Sequence, residues 1–127
     1  MKTRIFHPKN PHSSLPFSAA VKSGNLLFVS GQGPLDIATK KVIQGTIEEE
    51  TILTIKNIEE ILQAAGSSLN DIVRCTCYLA DLDDFDAFHH TYSRFFSMDV
   101  PPARTTVQAK LLRGIKIEID AIAQIST

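Results

Sequence analysis

The final segment of the chain alternates between apolar and mostly polar residues. One set consists only of isoleucine and alanine: Ile115, Ile117, Ile119, Ala121, Ala123 and Ile125. The other set is Lys116, Glu118, Asp120, Ile122 and Gln124. Because successive side chains of a strand point to opposite faces of a sheet, the pattern predicts a strand with one face in the core. Any fold for this chain must therefore cover one face of a sheet.

Shorter patterns predict two helices and four more strands. The strands are expected at 17–22, 26–30, 72–80 and 104–110, the first two forming a hairpin around Ser23-Gly24-Asn25. Thr46 and Glu49 have the spacing of a capping box, so a helix is expected from Thr46 to a stop at Ala65-Gly66. The aspartates at 81–84 favour the start of a second helix, which continues to about Ser97.

The predicted order is β-β-α-β-α-β-β, which is typical of an α+β domain. The first fifteen residues are expected to be an irregular lead-in with room for one small strand, and 31–45 a loop. The 127 residues fit a single domain over 1–127. Two helices can cover only one face of the sheet, so the other face must meet water or another subunit. This geometry favours an oligomer.

Charge and apolar patterning exclude several classes of protein. The 13 Lys and Arg residues nearly balance the 14 Asp and Glu residues, which argues against a generic nucleic-acid binder. No apolar run approaches the roughly 18 residues of a membrane helix, and the first residues lack the apolar core of a secretory signal. We therefore expect a cytoplasmic protein that does not associate with membranes.

The cysteines and histidines do not indicate a cofactor or metal. Cys75 and Cys77 are one residue apart on a predicted strand, where a bridge between them would strain the backbone, so we expect reduced, mostly buried thiols. His89 and His90 are adjacent on a predicted helix and about 100° apart, so they cannot coordinate one metal ion as histidines spaced i, i+4 do. His89 is expected to be packed or interfacial, and His90 solvated.

Two residues stand out as candidates for chemistry. Arg104 follows Pro101-Pro102-Ala103 at the start of a strand, where a rigidly placed guanidinium can grip a carboxylate or phosphate through paired hydrogen bonds. Glu118 lies on the polar face of the last strand and can act as a general base. On their residue types alone, a surface or subunit-bridging arginine and a solvated or salt-bridged strand carboxylate are the more common interpretations.

A set of short segments, in this order and at these spacings, resembles the RidA/YjgF family, also called the L-PSP or reactive-intermediate deaminase family. The segments are Val29-Ser30-Gly31-Gln32, Asn57-Ile58, Leu62, Ala65-Gly66, Asp71-Ile72-Val73-Arg74, Tyr78-Leu79, Asp81-Leu82-Asp83-Asp84-Phe85, Tyr92, Phe95-Phe96, Pro102-Ala103-Arg104 and Lys116-Ile117-Glu118-Ile119. The resemblance covers nearly the whole chain.

The resemblance implies a fold and an activity. The fold is chorismate-mutase-like, with one mixed sheet covered by two helices, and three copies assemble into a barrel with ligand sites in clefts between subunits. Members typically hydrolyse reactive 2-imino or 2-enamino acids, such as 2-aminoacrylate, to 2-keto acids and ammonia without a cofactor or metal. Two other functions stay open: a non-catalytic trimeric module that binds small carboxylates, and an L-PSP-type endoribonuclease. A local basic patch of Lys110, Arg113 and Lys116 motivates the latter.

The family's site residues match particular positions of this chain. Arg104 matches the arginine that clamps the substrate carboxylate, and Glu118 matches the carboxylate that positions or activates water. Ser30 and the Gly31 backbone match the floor of the cleft. Three further positions of the site depart from the common pattern: Phe17 replaces a tyrosine, Thr106 a cysteine and His89 an asparagine. We expect all seven residues to contact the ligand.

Overall fold

Two helices and eight strands follow one another along residues 1–125, the part of the chain that the computed structural model describes. In chain order they are β1 (Lys2–Ile5), β2 (Ala20–Ser23), β3 (Leu26–Gln32), β4 (Leu35–Asp36), β5 (Lys41–Val42), α1 (Ile47–Ala64), β6 (Ile72–Leu79), α2 (Phe85–Ser93), β7 (Ala103–Gln108) and β8 (Ile117–Gln124). The order confirms the predicted α+β class.

A six-stranded mixed sheet organises these elements, in the strand order β1-β2-β3-β8-β6-β7. Only the pair of β6 with β7 is parallel among the strand pairs of this sheet; the other neighbours are antiparallel. β4 and β5 form a separate two-stranded hairpin. The strand with the strictest alternation, β8, lies between β3 and β6, where one face is fully covered.

The core lies between one face of the sheet and the two helices. Ile117, Ile119, Ala121 and Ala123 of β8 are all buried, as the alternation predicts. The largest buried apolar residues on the helices are Ile55, Ile58, Ile61 and Leu62 of α1 and Phe88 of α2. Helical spacing places the α1 residues on one stripe, which packs against β3 and β8. Burial of these side chains is the main stabilisation of the domain.

The opposite face of the sheet, which we call the open face, has no helix over it among residues 1–125. It carries the alternate residues of β8, namely Glu118, Asp120 and Ile122, which are half-buried. Phe28 of β3 and Val107 of β7 lie on the same face and remain 43% and 39% exposed. A partly apolar sheet face of this kind needs a partner. This agrees with the prediction that two helices can cover only one face of the sheet.

The small strand for which the lead-in left room is β1, whose backbone pairs with β2 from Ile5 opposite Ala20. Several other predicted boundaries are wrong. The predicted loop 31–45 contains the β4–β5 hairpin. β3 continues to Gln32 through a bulge after Val29, where a turn was expected. The strand predicted from 17 begins at Ala20, and the helix predicted to reach Ser97 ends at Ser93.

α1 begins with the capping box that its sequence predicts. Thr46 Oγ1 accepts from Glu49 N at 3.1 Å, and Glu49 Oε1 accepts from Thr46 N at 2.9 Å. These reciprocal bonds satisfy backbone donors that a helix start leaves free. The backbone bond lowers the pKa of the Glu49 carboxyl. The first turn of α1 is therefore fixed, along with the residues just before it.

Candidate functional site

The structure separates the predicted site residues into two groups on opposite faces of the sheet. Arg104, Thr106 and His89 form the first group, where β7 meets α2. Glu118, whose side chain leaves the open face, forms the second group with Gly31 and Phe17, and the three residues line one pocket. Arg104 and Glu118 do not converge within one chain, because β6 lies between their strands and their side chains leave opposite faces.

The guanidinium of Arg104 is held against aromatic rings of α2. Its Cζ atom lies 4.8 Å from the ring centroid of Tyr92, 5.5 Å from that of Phe88 and 5.7 Å from that of Phe85. A cation attracts the π face of an aromatic ring, so these contacts orient the guanidinium as well as pack it. Phe88 and Tyr92 are also buried in the core, so the same rings pack the domain and orient the arginine.

A hydrogen bond to His89 further fixes the orientation of the Arg104 guanidinium. The arginine Nη2 donates to His89 Nδ1 at 2.9 Å, and the imidazole stacks on Phe85 with ring centroids 5.4 Å apart. Because a guanidinium has no acceptor, Nδ1 must be the unprotonated nitrogen, and the proton of the neutral ring lies on Nε2. Within residues 1–125 no carboxylate pairs with Arg104. An oriented cation without a counter-ion is suited to an anionic ligand.

The hydroxyl of Thr106 completes this group. Arg104 and Thr106 are two residues apart on β7 and so face the same way. In the described part of the chain, the Oγ1 atom of Thr106 is buried and has no hydrogen-bond partner. A buried hydroxyl without a partner is costly, which favours an additional group that bonds to it.

The nearby cysteines are structural. Cys75 and Cys77 are free and buried, opposite Arg104 and Thr106 in the β6–β7 register. Burial raises the pKa of the Cys75 thiol to about 11, and raises that of Cys77 further above its ordinary value. Both thiols are thus protonated at neutral pH and poor nucleophiles, in agreement with the prediction of buried, reduced cysteines.

Glu118 is the centre of the second group. Its carboxyl group lies against Gly31, so close that an added Cβ on Gly31 would be 2.9 Å from Glu118 Cδ. Glycine is therefore the residue that this approach allows. Burial, and then the charge of Asp120, raise the pKa of the Glu118 carboxyl. No hydrogen-bond donor of the described residues reaches this carboxylate, which leaves it available for water or ligand.

Phe17 lines the pocket beside Glu118, and Ser30 holds the segment that carries Phe17. The Ser30 hydroxyl donates to the carbonyl of Ser18 at 2.6 Å, so it fastens the Phe17 segment to β3. Arg4 Nη2 donates to the carbonyl of Phe17 at 3.1 Å from the other side. The Phe17 side chain itself is 59% exposed and lines the pocket. Ser30 thus bonds to the backbone and positions the segment that carries Phe17.

The sequence analysis did not place basic residues at this pocket. Arg4, Lys40 and Arg113 line it together with Glu118. Arg4 was missed because the lead-in has no strand pattern, and Lys40 because it has a positive φ in a turn that only the fold defines. Arg113 was named as part of a basic patch, and its place at this pocket follows only from the fold.

The sequence profile of the family described as Endoribonuclease L-PSP matches residues 7–125. The chain belongs to this family, the RidA/YjgF family. A RutC family protein of Saccharolobus solfataricus is 47% identical over 125 residues, covering 98% of this chain and 98% of the relative. The 2-iminobutanoate/2-iminopropanoate deaminase of Mus musculus is 36% identical over 115 residues, covering 91% of this chain and 85% of the relative.

A solved structure of the RidA/YjgF fold matches over the full domain. The crystal structure of E. coli TdcF with bound serine superposes with a TM-score of 0.85 at 30% identity, covering 98% of this chain and 100% of TdcF. The predicted fold class is therefore confirmed. The family includes an imine deaminase, and one member of the same fold binds a small amino acid.

Two further properties of residues 1–125 bear on this site. No helix in this range is both long and apolar enough to cross a membrane. Nor do three or more His, Cys, Asp or Glu side chains in the range lie close enough together to hold a metal ion.

Proposed function

We propose that the protein hydrolyses 2-imino and 2-enamino acids, such as 2-aminoacrylate, to 2-keto acids and ammonia. Arg104 binds the substrate carboxylate and Glu118 positions the attacking water. In this reaction water adds to the imine carbon, the resulting carbinolamine loses ammonia, and a keto group remains. The imine carbon is already electrophilic, so the protein needs to supply only orientation and a proton acceptor.

The observation that carries the proposal is that the guanidinium of Arg104 is oriented but has no counter-ion within residues 1–125. Its guanidinium is oriented by three aromatic rings and by His89, yet no carboxylate of the described residues neutralises it. A planar guanidinium binds a carboxylate through two parallel hydrogen bonds, which fixes the acid end of the ligand. The mouse relative named as an imine deaminase and the serine bound to TdcF both fit a ligand with a carboxylate.

We further propose that the working unit is a homotrimer with sites between subunits. Arg104 and Glu118 lie on opposite faces of one sheet, so a single chain cannot bring both to one substrate. The open face needs a partner because Phe28 and Val107 are exposed on it. When the edge of a second copy formed by β7 and α2 covers this face, Arg104 of one subunit can lie next to Glu118 of another.

The basic residues that motivated an endoribonuclease do not favour it. Lys116 is paired with Glu50 at 3.2 Å, and Arg113 donates to the carbonyl of Lys40. The ion pair neutralises Lys116, so the three residues carry less free positive charge than a surface that binds a phosphate backbone.

Release of 2-keto acid from freshly generated 2-aminoacrylate tests the proposal. We expect the wild-type protein to accelerate this release over buffer, and Arg104→Ala to remove most of the acceleration. Arg94→Ala, at an exposed arginine just after α2, is the matched control and should behave as wild type. A wild-type rate equal to that of buffer would exclude imine deaminase activity. Saturable binding of 2-oxobutanoate without turnover would instead support the non-catalytic module that binds small carboxylates.

A further inference from the structure

The pocket that contains Glu118 extends well beyond the residues that the reaction needs. It has a volume of about 330 Å³ and lies between the N-terminal segment, the end of β3, the β4–β5 hairpin and the β7–β8 connection. Much of its wall is aliphatic, from Leu35, Ile37, Val42, Leu112 and Ile115. This size is near the lower end of the range for small-molecule sites, and it exceeds what a methyl group requires.

The aliphatic wall is held in place by buried polar contacts. Asn57 of α1 is buried, and its Nδ2 donates to the carbonyls of Gly33 at 3.0 Å and Leu35 at 2.9 Å. Leu35 and Val42 are directly paired in the β4–β5 hairpin. The wall is therefore preformed, so a ligand does not have to order it on binding.

The charges around the pocket are mostly positive. Arg4, Lys40 and Arg113 line it, and Glu118 is its one carboxylate among the described residues. None of the three basic side chains pairs with a carboxylate within residues 1–125. Arg113 Nη1 donates to the carbonyl of Lys40 at 3.4 Å, and Arg4 stacks on Phe6, so two of the cations are held near the wall.

We infer that this pocket receives the side chain of the 2-imino acid, and that the protein prefers branched aliphatic or aromatic side chains over a methyl group or a cationic chain. The inference rests on the proposed function, since Glu118 belongs to both the reaction and the pocket. Each methylene buried on a preformed apolar wall raises affinity several-fold, so a leucine-sized side chain is favoured about tenfold or more over methyl. A cationic side chain is repelled by the three basic residues.

Competition between imines tests the inference. An amino-acid oxidase generates the imines from alanine, leucine, phenylalanine or arginine, and semicarbazide traps the part that the protein has not hydrolysed. We expect kcat/KM to be highest for the leucine- and phenylalanine-derived imines and lowest for the arginine-derived imine. Equal rates for the alanine- and leucine-derived imines, or the highest rate for the arginine-derived imine, would overturn the inference.

Variants locate the preference in this pocket. Leu112 is 81% exposed, so Leu112→Ser should leave the fold intact while it lowers kcat/KM for the leucine-derived imine about threefold or more. The loss for the alanine-derived imine should be smaller than the loss for the leucine-derived imine, because a methyl group makes less contact with the wall. Ile52→Ser, at an exposed isoleucine of α1 away from the pocket, is the matched control. An equal loss for both imines in Leu112→Ser would contradict the assignment.

Binding separates this inference from the proposed function. If no imine is hydrolysed, the proposed function fails, but the pocket still predicts tighter binding of 4-methyl-2-oxopentanoate than of pyruvate by calorimetry. We expect Leu112→Ser to reduce this difference between the two ligands. Equal affinities of the wild-type protein for both 2-oxo acids would reject the side-chain pocket whether or not the protein is an enzyme.

Discussion

Arg104 Nη2 donates a hydrogen bond to His89 Nδ1 at 2.9 Å, across the join between β7 and α2. The imidazole therefore orients the guanidinium that we propose as the carboxylate clamp. Loss of a hydrogen bond to a charged group costs about 1.5–3 kcal/mol, so we expect His89→Ala to raise KM for the imine about tenfold or more, with a smaller change in kcat.

Two other variants show whether this effect belongs to the hydrogen bond. His89→Asn retains a short polar acceptor at the same position of α2 and should stay within about threefold of wild type. His90→Ala removes the exposed neighbouring histidine and should have no effect. If His89→Ala and His90→Ala gave the same kinetics, His89 would not be a positioning residue.

The position of Glu118 on the open face was predictable, because a strand alternates and its neighbours Ile117 and Ile119 are plainly core residues. The separation of Glu118 from Arg104 was not. The face that Arg104 occupies depends on the parallel register between β6 and β7 and on the packing of α2, and both are contacts between distant parts of the chain. Local patterns do not contain that information.

The same distinction applies to the fold. The helix starting after Thr46 was predictable because its capping box is local. The sequence left room for β1 without placing it, because a four-residue strand at the sheet edge depends on its partner β2, and its own sequence has no alternation. The β4–β5 hairpin has two residues in each strand and depends on Asn57, far along the chain, for its position.

Mixed trimers test the proposal that the protein is a homotrimer whose sites are shared between subunits. We expect Arg104→Ala and Glu118→Gln each to be inactive alone. When the two variants are co-expressed with different tags and mixed trimers are purified through both, one of the three sites regains an intact Arg104 and Glu118. Activity should then return to about one third of wild type.

The control for this experiment pairs Arg104→Ala with the double variant Arg104→Ala/Glu118→Gln. No site in such a trimer contains an intact arginine, so no activity should return. If co-expression of the two single variants also restored nothing, Arg104 and Glu118 would have to act within one subunit, against their placement on opposite faces.

The raised pKa of Glu118 predicts a pH dependence. Glu118 accepts a proton only when it is ionised, so kcat/KM should fall as the pH decreases through the raised pKa of its carboxyl. The charge of Asp120 is one cause of the rise, so Asp120→Asn should move this acid limb to lower pH. A pH–rate profile of kcat/KM for the two proteins measures the shift, and identical profiles would contradict it.

The pH dependence of the protein's stability gives an independent measure of the ionisation of Glu118. A carboxyl whose pKa is raised by folding stabilises the folded state when protonated, and this contribution is lost as the pH rises through the folded-state pKa. Glu118→Gln, which cannot ionise, should therefore gain Tm relative to wild type as the pH increases from 4 to 8. A gain that was constant over that range would exclude titration of Glu118 as its cause.

Gly31 predicts a steric effect on catalysis. A Cβ at this position would lie 2.9 Å from Glu118 Cδ and 3.2 Å from Cγ, so the carboxylate must move. Misplacement of a catalytic group by about 1 Å costs up to about 100-fold, and we expect Gly31→Ala to lower kcat about 10- to 100-fold with little change in Tm. In Glu118→Ala the same change should have no further effect, since the clash is gone; additive losses would show a different cause.

Replacement of the buried Glu50 is predicted to lower the free energy of unfolding, which its position in the first turn of α1 does not suggest. The helix pattern suggests only a first-turn acid, yet Glu50 is 1% exposed and accepts from Gly45 N at 3.1 Å and from Lys116 N at 2.8 Å and Nζ at 3.2 Å. Glu50→Ala leaves these donors unpaired and should cost about 2–4 kcal/mol. Urea unfolding checks this against Glu48→Ala, an exposed acid of the same turn, which should cost about 0.5 kcal/mol. Similar values for the two variants would show that Glu50 does not anchor the start of β8, the strand that carries Glu118.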